Sequence, residues 1–314
     1  MTTSTPNPFE TEMLTTQYTT ALELLLQQKV SKLRGLVDTG AHVGKMASPI
    51  QQISPVEFKA PVGRYAPIQF QIAQYTRRWV FPQDRDVGIP VDTFDLLKSI
   101  VDPKAGINMA VVAAANRFFD DVIIAAWNAS ASTGVDASSL GTESWPAATF
   151  VVADTFDSAS TTGMTYAKVV EGRRILEHYQ NDLQAEAVVM VVGSQQNSDM
   201  LKQVEVIDKL YNDRPVVENG SVNRILGTQI VCSERLGTTT VSSNVVRQCP
   251  MFVKSALYLG LWKDMEIDVT QRKDLTGHPW QLYSLLSAGA TRTQLGKIVE
   301  VRALDSTGAD PTAP

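Results

Sequence analysis

Some stretches of this chain have the residue types, if not the spacing, that chemistry requires. Gly40-Ala41-His42-Val43-Gly44-Lys45-Met46 resembles a phosphate loop. It is one residue short, lacks the Ser or Thr that would hold magnesium, and follows no buried strand, so no nucleotide site is expected there. The histidines, His42, His178 and His278, are scattered with no i, i+4 pair for a metal. No nucleophile signature of the GxSxG kind is present. Arg117, Asp120 and Asp121 share one helix face. Paired carboxylates can serve acid–base chemistry. With no partner base beside them, they are expected instead to hold a structural ion pair, Arg117 reaching Asp121 one turn on. Arg77, Arg78 and Arg85 alternate with Asp84 and Asp86. Such a group can touch nucleic acid or pair with charges of a neighbouring protein chain. The interleaved acids favour the protein contact, so these five are the candidate intersubunit residues. Cys232 and Cys249 form no metal-type cluster and are expected as two free thiols. The chain is therefore read as no enzyme, without cofactor or metal.

The elements that must position these residues come next. The chain has 314 residues, enough for a substantial core in one or two domains. It is 44% hydrophobic and 19% charged, ordinary for a globular protein. Its formal charge of −5 argues against a dedicated nucleic-acid binder, though not against a wall that only encloses nucleic acid. No apolar run is long enough to span a membrane, and no secretory signal is visible at the N-terminus.

Residues 1–45 carry a helical stripe, Leu14, Tyr18, Ala21, Leu22, Leu25 and Leu26, which docks on its own domain or on another subunit. Residues 46–86 read as a long two-stranded excursion. Ile68, Phe70 and Ile72 alternate with Gln69 and Gln71, a half-buried strand signal. A hairpin this long is marginal in water by itself and has to lie on something, a neighbouring subunit being the natural candidate. Asp92 opens a short helix to Val101. Asp102-Pro103 then opens a long Ala-rich helix over 103–127, with Phe118, Val122 and Ile123 expected in the core. Residues 129–163 read mostly as loop, with a strand near 149–153. Residues 164–272 read as an α/β unit: a helix capped by Thr165 to about Gln180, a buried strand at 187–192, a helix through Lys202, and strands at 229–233 and 256–261. The segment after Leu304 has the composition of a disordered tail.

This order of zones resembles the coat-protein fold of tailed bacteriophages, the HK-ninety-seven fold. The segments that carry the likeness are Ser31-Lys-Leu-Arg-Gly35, Thr76-Arg-Arg-Trp-Val80 with Asp84 following, Val101-Asp-Pro103, Arg117-Phe-Phe-Asp-Asp-Val-Ile-Ile-Ala-Ala126 and, after the strand 188–192, Asn223-Arg-Ile-Leu-Gly-Thr-Gln-Ile-Val-Cys-Ser233. The resemblance covers almost the whole chain. It implies an α+β fold with an N-terminal arm (1–45), an extended loop (46–86), a peripheral domain (87–163 and 273–304) built on a spine helix, an axial domain (164–272) and a flexible tail (305–314).

The same resemblance implies a major capsid protein that self-assembles as pentamers and hexamers into an icosahedral shell around double-stranded DNA. Its expected location is the virion capsid, assembled in the host cytoplasm. The partners it implies are other copies of the chain, a separate scaffolding protein, a portal, and in some members a cement protein, with DNA contacted weakly and no membrane. Some members cross-link through a loop lysine; Lys45 and Lys59 stand in or near the loop and read as solvated lysines. Two rival readings are an encapsulin-type compartment around cargo enzymes and a soluble α/β enzyme. Co-purified cargo would favour the first, and a compact ligand-binding monomer the second.

Overall fold

The computed structural model describes residues 25–60, 62–65, 67–92, 103–146, 148–158, 160–203, 217–218 and 221–305. The short helix expected over 92–101 and most of the arm's stripe lie outside these residues. At the stripe's end Leu25 and Leu26 are in solvent and not helical.

The spine is α1 (Pro103–Asn128). Its Ala-rich run carries the highest helix propensity, and the helix ends where Asn128 meets Ala129-Ser130. Val111, Ala115, Phe119, Val122, Ile123, Ala126 and Trp127 are buried. They fall at the spacing of a single helical stripe, so one side faces the core and the others are partly covered. Phe118 is not among them. It is only partly buried, one helical step off the stripe, and Phe119 takes the core position expected of it.

The described strands form three larger sheets. In chain order the strands are β1 (Asp38–Ala41), β2 (Ala47–Ile53), β3 (Tyr75–Val80), β4 (Gln83–Val91), β5 (Ala131–Gly134), β6 (Gly141–Glu143) and β7 (Val151–Val152). After helix α2 (Tyr166–His178) come β8 (Val188–Val192), helix α3 (Ser194–Leu201), β9 (Val217–Glu218) and β10 (Ser221–Val222). The rest are β11 (Arg224–Ile225), β12 (Thr228–Cys232), β13 (Thr238–Val241), β14 (Asn244–Val253), β15 (Leu257–Gln271), β16 (Trp280–Arg292) and β17 (Ile298–Leu304).

The first sheet runs β1-β15-β16-β4 and lies against α1. On β16, a Cβ on Gly289 would sit 2.0 Å from the Phe81 carbonyl oxygen, so only glycine fits there. The second runs β11-β12-β8-β14-β17-β7, with β13 on β14. All five residues of β8 are buried, as the continuous apolar run predicts. The Thr165 side chain accepts from Lys168 N and caps α2, also as predicted. The third, β2-β3-β5-β6, forms the root of the extended loop.

Sheet membership departs from the sequence expectation in several strands, among them β7, which lies in the second sheet though 87–163 is expected in the peripheral domain. β15, expected in the α/β unit, belongs to the first sheet. β17, expected in the other domain, lies inside the second between β14 and β7. Burial explains the exchange. Ile298, Val299, Glu300, Val301 and Ala303 are all buried, which requires an interior strand, whereas β15 is exposed over most of its length beyond Trp262. Asp305, expected as the first residue of the tail, is instead buried, with its carboxylate 2.6 Å from Arg247 Nε; residues 306–314 lie outside the described residues.

Candidate assembly interface

The extended loop leaves the body as the hairpin β2–β3, whose ladder closes at Ser54 N to Gln74 O, 2.8 Å. From 54 to 74 the described residues form no strand. Glu57 N donates to Gln71 Oε1 across the two limbs at 3.3 Å. Along this stretch Phe58, Tyr65, Ile68, Phe70 and Ile72 stand 80% or more in solvent. The strand expected from Ile68, Phe70 and Ile72 is thus absent. The alternation is real, but the chain has no edge of its own to pair with there and no surface to cover those side chains.

The loop's root is tightly held. Gln52 Nε2 on β2 and Arg78 Nε on β3 both donate to the Thr293 carbonyl, at 2.8 and 2.6 Å. Thr293 Oγ1 in turn donates to the carbonyls of Ser255 and Ala256 at 2.8 and 3.1 Å. Arg78 Nη1 lies 2.8 Å from the Glu143 carboxylate on β6. Next to it Arg292, fully buried, donates to the carbonyls of Trp127, Ala129 and Glu143 and lies over the Trp145 ring at 5.3 Å. Burial lowers the pKa of the Arg292 guanidinium; Glu143 opposes that shift and Arg78 adds to it.

The structure therefore separates the five charges read as intersubunit contacts. Arg78 is 5% exposed and engaged within its own chain, because the loop root needs a donor there, so it does not reach outward. Arg77 sits half-buried on the same strand with no ion pair among the described residues. Asp84 accepts from Ser287 Oγ at 2.6 Å. Arg85 lies over the Phe118 ring at 5.9 Å, and Asp86 is exposed. Arg77 is in the third sheet, while Asp84, Arg85 and Asp86 are in the first, so the five do not form one cluster.

The spine's acids also divide. Asp121 pairs with Arg235 and not with Arg117. Arg117 Nη1 donates to Gln27 Oε1 and to the Gln28 carbonyl, 2.6 and 3.2 Å away. Asp120 is wholly buried. Its carboxylate accepts from Ser31 Oγ at 2.6 Å, Lys32 N at 3.0 Å, Leu33 N at 3.1 Å and also Gln28 Nε2. This clamp fixes the base of the arm on the spine. Sequence reasoning misses both these partners and the burial, which appear only once the spine is packed. Ala113, Asp120 and Trp127 stand seven residues apart and are 2%, 0% and 3% exposed, so the aspartate lies in a buried row.

The remaining chemical candidates stay apart. Gly40 and Ala41 of the phosphate-loop look-alike are part of β1, and His42 Nε2 is 2.8 Å from the Tyr258 hydroxyl. Among the described residues, no three His, Cys, Asp or Glu side chains gather as a metal site, and no helix is long and apolar enough to cross a membrane. Cys232 is exposed and Cys249 buried, both unpaired, and burial raises the Cys249 thiol to about 12.

A family model described as phage capsid protein matches residues 11–305. No curated protein sequence matches the chain. Among solved structures, the chain is similar to the cyanophage Pam1 capsid asymmetric unit at 12% identity and a TM-score of 0.71, over 95% of this chain and 98% of that one. The capsid of the cyanophage P-SCSP1u matches at 13% identity and a TM-score of 0.70, over 94% of each chain. The capsid of Ralstonia phage GP4 matches at 10% identity and a TM-score of 0.69, over 99% of this chain and 100% of that one.

Proposed function

The chain belongs to the phage capsid protein family, and from that membership we propose how this major capsid protein closes its shell. Subunits associate into pentamers and hexamers of an icosahedral shell around the double-stranded DNA of a tailed bacteriophage. The protein acts by assembly and has no catalytic turnover. The apolar side chains of 53–72 carry this reading. Monomeric proteins rarely leave so continuous a patch in water, and a hairpin tip without its own core becomes stable by lying on an adjacent copy.

Residues 1–45 serve as the arm and 46–86 as the extended loop. The first sheet with α1 serves as the peripheral unit, and the second sheet with α2 and α3 as the axial unit. Arg77, Asp84, Arg85 and Asp86 contribute charged contacts at the surface between subunits. The net charge of −5 suits a wall that contacts DNA weakly. A separate scaffolding protein and a portal take part in building the particle, which forms in the host cytoplasm.

Electron microscopy of the purified protein, alone and from infected cells, tests the proposal. Closed shells of pentamers and hexamers holding nuclease-protected DNA are expected. A compact monomer that binds a small ligand, or shells filled with a cargo enzyme, would overturn it.

A further inference from the structure

We infer that the Thr293 carbonyl, with Gln52, Arg78 and Glu143, is a bolt that sets the angle of the extended loop, and that these are positioning residues for assembly. The inference rests on the reading that the loop tip seats on an adjacent subunit. One carbonyl accepts from both limbs of the hairpin, from Gln52 at 2.8 Å and Arg78 at 2.6 Å. A single bond to one limb would let the hairpin pivot about it, whereas a bond from each limb to a shared point resists rotation. The shared point is itself fixed, since the Thr293 hydroxyl is tied back to 255–256 and its N–H donates to the Ala256 carbonyl at 2.9 Å.

The charges add a second constraint. Arg78 and Arg292 are both buried, and Glu143 is the carboxylate beside them. Arg78 faces the Glu143 carboxylate while Arg292 donates to the Glu143 backbone carbonyl, so β3, β6 and the end of β16 meet at one residue, and parting β3 from β6 leaves a buried cation unpaired.

Lever geometry says why this matters at the tip. The tip is about ten residues beyond the root, a reach of at most about 35 Å. A radial gap of 0.5–1 Å already removes a large share of a packing contact. Over that reach, a 1 Å displacement corresponds to about 2° at the root, and a 10° error moves the tip by about 6 Å. The described residues from 54 to 74 have no ladder of their own to stiffen them further. The stiffness available to aim the tip therefore resides at the root.

The test compares wild type with Gln52→Leu, Arg78→Lys and the tip variant Phe70→Asp. Closed shells are counted by electron microscopy and sedimentation, and folded soluble subunit is measured by circular dichroism and urea midpoint. Arg78→Lys keeps the charge facing Glu143 but loses the Nε bond to Thr293, and Gln52→Leu removes the other limb's bond at a half-buried site. Both are expected to leave soluble subunit near wild type while closed shells fall about tenfold in favour of open or misshapen assemblies. A purely structural role would instead lower folded protein and leave the shape of the surviving shells unchanged. If the two bolt variants form normal shells while Phe70→Asp blocks assembly, the bolt is overturned and the loop reading stands. If Phe70→Asp also assembles normally, the loop reading fails and the bolt fails with it. Should Arg78→Lys not fold, the milder Gln52→Leu decides the question alone.

Discussion

Asp120→Ala should release the base of the arm from the spine. The carboxylate is fully buried and accepts from two backbone N–H groups, Lys32 at 3.0 Å and Leu33 at 3.1 Å, beside two side-chain donors. Leu33 is itself 1% exposed, so its N–H has no water to turn to. Each orphaned buried donor costs about 1–3 kcal/mol, and hydrogen bonds to a charged acceptor contribute about 1.5–3 kcal/mol each without adding fully. The expected loss is about 4 kcal/mol for Asp120→Ala. For Asp120→Asn it is about 2 kcal/mol, because one acceptor oxygen survives while the amide NH₂ faces donors. Urea unfolding of the free subunit measures the total. Hydrogen exchange at Lys32 and Leu33 measures it locally, with about a tenfold faster exchange for each 1.4 kcal/mol lost. The reasoning is refuted if both amides stay as protected as in wild type, or if Asp120→Ala unfolds within about 0.5 kcal/mol of it.

Other outcomes are equally specific. Phe119→Ala should cost about 3–5 kcal/mol and Phe118→Ala clearly less, since only Phe119 is fully buried; the reverse order in urea midpoints would contradict the register of α1. Asp305→Ala should destabilise by about 1–3 kcal/mol, as read by chemical denaturation, since buried Arg247 loses one carboxylate and keeps Glu234 at 3.2 Å. Arg235→Ala, which breaks the more exposed pair with Asp121, should cost about 0–1 kcal/mol in the same assay. A maleimide at pH 8 should label Cys232 and spare Cys249, whose thiol is buried and pushed up to about 12; mass spectrometry showing two labels on folded protein would contradict this.

Local patterns are legible where the local chain decides the outcome. The apolar run 188–192 can only be an interior strand, and Thr165 announces the start of α2. Pro103 and the alanines after it specify the spine. What the sequence does not show is which partner completes each pattern. Ile68, Phe70 and Ile72 alternate as a strand does, but alternation records that one face will be covered and not by which chain. Arg77 and Arg78 are the same residue type side by side, and only the placement of Thr293 more than two hundred residues later makes one internal. The exchange of β15 and β17 between sheets is invisible for the same reason, as strand order is set by contacts far apart in sequence. The burial of Asp120 is hidden in the same way, since its partners at 28–33 lie about ninety residues earlier.

The position of β17 also bears on timing. This strand lies between β14 and β7, and its partner Val152 pairs with Val301 across nearly half the chain. Closing so long a loop is entropically costly and makes folding slow. The second sheet is thus incomplete until a late segment inserts, whereas the β2–β3 hairpin that bears the exposed apolar tip joins residues close in sequence and can form early. A nascent or refolding subunit would therefore display its adhesive tip before the body that aims it is finished. Rapid synthesis at high local concentration would then favour clumping over ordered growth, and anything that shields residues 54–74 during that interval would raise the yield of assembly-competent subunits.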